Sequence, residues 1–164
     1  MSNEPQILAN VLNKTRDITK LYLKLLDKTD WHKMYEVNGT KLNTVFWLAA
    51  HISITQNYLA LRCTGGEKIT LPYARQFGMG STPSAAEECP PKDEMLNNFN
   101  MIHEKSIAHI ASLDPAYLDE PNPTGFEFLG ENNVRSMIVH AIRHENMHSG
   151  HLGWLCKLNG IKTI

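Results

Sequence analysis

Residues 132–159 read NNVRSMIVHAIRHENMHSGHLGWLCKLN, and no other stretch restricts the fold so tightly. Val134, Met137, Ile138, Ala141, His144, His148, Leu152 and Leu155 recur at steps of three and four, the spacing of one stripe along an α-helix. Gly160 follows as a stop signal. His144 and His148 stand within that stripe. Four residues of helix advance by roughly one full turn, so both rings leave the same face. Two imidazoles stacked in this way can hold a metal ion between them if a further ligand arrives from elsewhere in the chain.

The remainder of the sequence supplies the elements against which such a helix packs. Ile7, Val11, Ile18, Leu21, Tyr22 and Leu25 keep the helical period over about residues 5–28. Residues 29–42 read as a loop, with Asn38-Gly39 as a turn signal. A second helix is expected over about 43–63, with Asn43 as N-cap, an apolar stripe of Val45, Leu48, Ala49, Ile52 and Leu59, and Gly65-Gly66 beyond it. His51 sits beside Leu48 and Ile52 and is therefore turned toward the core. A third helix is expected over about 91–113, with Met95, Phe99, Ile102 and Ile110 on its buried face and His103 and His109 on the solvated flank. The fourth is the 132–159 helix. Two irregular connections remain. Residues 65–90 carry Pro72, Gly78, Gly80 and Pro83, with Tyr73 and Phe77 able to pin them down. Connections of this length are functional or mobile more often than not; here the segment is either a lid over a pocket or a crossover strapped to the helices. Residues 114–131 carry Pro115, Pro121, Pro123, Gly125 and Gly130.

Four amphipathic helices without an alternating strand pattern give an all-α four-helix bundle, and 164 residues suit one domain, 1–164. A net charge of −1 with no run of Lys or Arg leaves no electrostatic footprint for nucleic acid or an anionic membrane. No apolar run approaches the ~18 residues of a membrane span. The first residues lack a basic segment leading into an apolar one, so no secretory leader is expected. Three cysteines, Cys63, Cys89 and Cys156, are odd in number and unpaired in spacing, which suits a reducing, cytoplasmic setting.

His144-Glu145-Asn146-Met147-His148 matches H-E-x-x-H, the signature of a zinc protease with Glu145 as general base. The chain beyond His148 contains no Asp or Glu to complete such a site. A carboxylate-bridged di-iron centre needs two E-x-x-H pairs, and Glu145–His148 is the only one. The third ligand is better sought upstream, and His51 is the best candidate. Three neutral imidazoles would hold a divalent ion with at least one position open, where a thiol or a water loses its proton near neutrality. Against this stands the alternative of three hydrogen-bonded core histidines. Glu145 is then a solvated or supporting carboxylate, and His151 and Trp154 border the pocket or lie on plain surface.

These residues carry a resemblance. FWLAAHI around His51, FGMG after a proline-containing loop, and HENMHSGHL on the last helix, in that order, resemble the DinB-like superfamily of metal-binding four-helix proteins, over nearly the whole chain. The resemblance implies an up-down-down-up bundle, often a homodimer, with His51, His144 and His148 holding zinc, nickel or a similar divalent ion. Many members carry Arg-Gly-Gln after the last ligand, where this chain has Ser149, Gly150 and His151. Relatives of this kind include transferases that use a low-molecular-weight thiol such as bacillithiol or mycothiol, and others described as metal-dependent hydrolases. The expectation is therefore a metal-dependent thiol S-transferase acting on a small electrophilic substrate. The alternatives are a hydrolase using a metal-activated water and a non-catalytic metal- or ligand-binding stress protein.

Overall fold

The computed structural model describes residues 4–163. Four long helices dominate it: α1 (Glu4–Leu25), α2 (Val45–Gln56), α3 (Lys92–Ala111) and α4 (Val134–Leu158). The only strands among the described residues are β1 (Glu36–Val37) and β2 (Thr40–Lys41), an antiparallel pair inside the stretch expected to be loop. Asn38 and Gly39 both take positive φ between them, the geometry a two-residue hairpin turn requires. α1 packs on α3 and α4, and α2 packs on the same two helices.

Local chemistry sets the helix ends. Thr44, not Asn43, caps α2, its hydroxyl accepting from the Trp47 amide at 3.1 Å. Asn133 caps α4 by accepting from the Ser136 amide at 2.8 Å. The second helix expected to run to residue 63 changes pitch first. It passes into a π-helical segment, Asn57–Leu61, and a 3₁₀ turn, Arg62–Thr64, before Gly65 closes it at φ 79°.

The apolar core falls into two clusters. One gathers Trp31, Phe46, Phe77, Phe99 and Leu152 around α2. The other gathers Leu12, Leu59, Ile110, Met137 and Ile138. A belt of buried polar residues lies between them on every helix. On α1, Thr15, Arg16 and Thr19 stand between Leu12 and Leu23; on α3, His103 and Ser106 stand between Ile102 and Ile110. On α4, Glu145, His148 and Ser149 stand between Ala141 and Leu152; on α2, Gln56 follows Ile52 and precedes Leu59.

That belt explains two departures from the sequence reading. Ile7, Val11, Ile18 and Leu21 are exposed, Ile7 at 58%. The inward face of α1 is instead the one carrying Arg16 and its threonines, so counting apolar residues selects the wrong side. His103 is only 4% exposed and hydrogen-bonded on both nitrogens, not solvated. His109 is half-buried, its Nε2 3.0 Å from the Thr64 carbonyl oxygen and hydroxyl.

Candidate metal centre

His51 comes from the middle of α2, a helix buried around almost its whole circumference. His144 and His148 come from successive turns of α4. The α2–α4 packing brings the three rings together: His144 Nε2 lies 3.1 Å from His51 Nε2 and 3.1 Å from His148 Nε2. One ring nitrogen from each residue lies within 4.8 Å of the other two. His51 and His148 are buried and His144 is half-buried.

The surroundings set the tautomer of His51 and disfavour charge on all three rings. His51 Nδ1 sits 2.7 Å from the Phe77 carbonyl oxygen. A carbonyl only accepts, so Nδ1 carries the hydrogen and the Nε2 lone pair faces His144. Trp47 stacks on the same ring at 4.4 Å between centroids, and its Nε1 donates to Ser81 Oγ at 3.0 Å. The 77–81 loop thus anchors the His51 ring by two routes. His148 Nδ1 lies 3.2 Å from His151 Nδ1. Burial holds all three imidazoles below their ordinary pKa. His144 falls to about 3 by desolvation first and its histidine neighbours second; His148 falls to about 3 for the same two reasons. His51 is lowered by desolvation, against the opposing pull of its bond to Phe77.

Both contacts share His144 Nε2, which in a neutral ring carries either one hydrogen or one lone pair, and His51 Nε2 offers only a lone pair, so no tautomer gives each contact its own hydrogen bond. Such a set fits a cation. Nitrogens about 2.0–2.1 Å from one ion, at angles between 90° and 110°, sit roughly 2.8–3.4 Å apart, which brackets the two 3.1 Å separations.

Glu145, one position round the helix from His144, points the other way. It is 2% exposed and receives Arg16 Nε at 2.5 Å, an Arg16 terminal nitrogen at 3.1 Å and Thr19 Oγ1 at 2.8 Å. Arg16 also donates to the Phe99 carbonyl at 3.1 Å and to Gln56 Oε1, and lies over the Phe99 ring. Glu145 is therefore neither solvated nor free to act as the base of an H-E-x-x-H protease.

Two cavities meet at the histidines. One, about 450 Å³, runs between the π-helical segment and the 65–79 loop, and its lining includes His51, His140 and His144. The other, about 490 Å³, opens past Trp47, Phe128, Arg143 and Met147 and shares those three histidines. Met79, 94% exposed, borders both. Residues 65–90 are thus strapped down by the buried Leu71, Tyr73 and Phe77 while also furnishing cavity wall. His151 and Trp154 line a separate cleft with Lys41 and Leu42, not these cavities. His140 is the site residue that sequence reasoning missed. It stacks on Phe128 with centroids 3.8 Å apart, one turn before His144. Its spacing of four from His144 was the available signal.

The family model described as the DinB superfamily matches residues 12–152. No curated protein matches the chain.

Proposed function

Because the chain belongs to the DinB superfamily, we propose that it is a divalent-metal-dependent thiol S-transferase acting on small electrophiles, with His51, His144 and His148 as the metal ligands. The observation that carries the reading is the convergence of three neutral Nε2 atoms at one point beside two cavities. Zinc and nickel both suit three imidazoles. A bound ion would supply a Lewis acid with open positions at which a thiol reaches its thiolate form near neutral pH.

The protein's own contribution is placement. Phe77 and Trp47 hold the His51 ring in one tautomer and one plane. The Arg16–Glu145 pair locks α4 behind His144. Two cavities meeting at the trio give room for two reactants, a thiol and an electrophile. Neither lining contains an Asp or Glu among the described residues, so the ion itself would have to activate whichever nucleophile the site uses.

The rest of the family's architecture is proposed with it. The up-down-down-up order is supported by the clusters, because α1 and α4 pass from the Leu12 cluster to the Leu152 cluster, whereas α2 and α3 pass the other way. The exposed stripe of Ile7, Val11, Ile18 and Leu21 offers an apolar face to a homodimer. A single domain and a cytoplasmic setting complete the proposal, the latter in keeping with three free cysteines. No helix among the described residues is long and apolar enough to cross a membrane.

The test is elemental analysis of the purified protein, followed by turnover assays of the metal-loaded form against panels of thiols and electrophiles. Metal- and thiol-dependent turnover supports the reading. Turnover without thiol makes the protein a hydrolase, and a bound ion with no turnover makes it a binding protein.

A further inference from the structure

The 450 Å³ cavity has a chemistry of its own. Its walls are largely apolar, from Ile54, Leu59, Ile69 and Leu71, with Tyr58 and Phe126 meeting edge-to-face 5.6 Å apart. Two cations stand at its exposed rim, Arg62 and Lys68. Neither enters a salt bridge among the described residues, where the other close pairs involve Lys14, Arg16, Lys92, Lys105 and Arg135. Among the described residues no carboxylate lines the cavity. The Arg62 guanidinium lies 5.6 Å over the Tyr58 ring, which ties the charge to the aromatic wall.

The backbone at this wall is irregular. Asn57, Tyr58, Leu59 and Arg62 reach the cavity from the π-helical segment and the turn after it. A π turn trades regular hydrogen bonding for a changed side-chain register, and such segments cluster at functional sites. Asn57 donates its amide to the Ile69 carbonyl at 2.8 Å, tying the segment to the loop opposite.

From these features we infer that this cavity is a binding site for an amphipathic organic anion, its apolar body between Leu59 and Ile69 and its carboxylate at Arg62 and Lys68. As a binding site it stands on the cavity and the charges alone. As the seat of the electrophile it rests on the transferase reading above. Apolar contacts would then supply the affinity and the two cations the orientation, fixing which end of the molecule faces His144.

Calorimetry with sodium octanoate and 1-octanol separates the two parts. The protein is first treated with chelator and dialysed, so that no ion at the histidines competes for the carboxylate. Octanoate is expected to bind more tightly than octanol. The double substitution Arg62→Gln, Lys68→Gln should weaken octanoate about fivefold or more, leave octanol unchanged, and remove the salt dependence of octanoate binding. Ala74→Trp should fill the cavity and abolish both. Equal affinity for acid and alcohol, or octanoate binding indifferent to the double substitution, overturns the inference. A failure of metal binding or thiol transfer in the wild type would leave these outcomes untouched, so the two readings fall separately.

Discussion

Two neighbouring faces of α4 bury polar side chains in opposite ways. On one, Glu145 and Ser149 join Arg16, Thr19, Gln56 and His103 in a network whose donors match its acceptors. Gln56 shows how completely: its oxygen accepts from Arg16, so its nitrogen donates to His103 Nδ1 at 3.0 Å, and His103 Nε2 in turn donates to Asn13 Oδ1 at 3.0 Å. On the other face, His144 and His148 meet His51 through one shared nitrogen that cannot satisfy both contacts. Buried polarity that satisfies itself holds helices together. Buried polarity left short of protons and adjoining a cavity is arranged for something the chain does not itself provide.

The sharpest way to break that contrast is to cut one bond on each side. Glu145→Ala leaves the Arg16 guanidinium buried without its carboxylate and should cost about 3–5 kcal/mol of stability, read as a large fall in the urea midpoint. Arg16→Met combined with Glu145→Leu should recover much of that loss, since two matched apolar groups remove both charges. His148→Ala should do the reverse. Metal affinity should drop by more than about a hundredfold, while the metal-free protein keeps its midpoint to within about 1 kcal/mol. If His148→Ala retains its metal, the trio is not the ligand set; if it unfolds, the histidines belong with the belt.

A smaller effect tests how the loop supports the trio. Trp47→Leu removes the stack on His51, the bond to Ser81 and an edge contact with the His148 ring at 6.4 Å between centroids, and metal affinity should fall about tenfold. An unchanged affinity would make Phe77 alone sufficient to hold the His51 ring.

The same contrast explains how much the sequence discloses. The four helices were legible because their apolar periods are long, and His144 and His148 because a spacing of four on one stripe needs no partner to be seen. His51 was legible because Leu48 and Ile52 flank it. The belt was not. Arg16, Thr15 and Thr19 read as surface residues of α1, and only the distant Glu145 and Gln56 make their burial tolerable, so the period of Ile7, Val11, Ile18 and Leu21 marks a helix without marking its buried face. His103 was misread for the same reason: its partners, Gln56 and Asn13, lie on other helices. The end of α2 is not legible because nothing in NYLALRCT announces a π turn, whereas His140 was within reach of the sequence, since it repeats the spacing of four that marks His144 and His148.

His103 also provides the gentlest test, one in pH. Burial first, and the charges of Arg16 and Lys20 next, hold it at about 3, against an ordinary value of 6.5. Its Nδ1 accepts from Gln56, so protonation would break the chain of bonds that leads back to Arg16. The unfolded chain takes up this proton near pH 6.5, whereas the folded one does not until about pH 3. Within that window the proton favours the unfolded state, so stability falls as pH falls; above it the contribution is fully present. The trio's histidines add slopes of the same sign, which is why the comparison must be between two chelator-treated proteins that both retain them. His103→Gln should lower the pH dependence of the urea midpoint by about one proton between pH 6.5 and 5, where ordinary carboxylates stay ionised and contribute little. An unaltered slope would mean that His103 charges inside the folded protein, and the belt would then lose its claim to be complete.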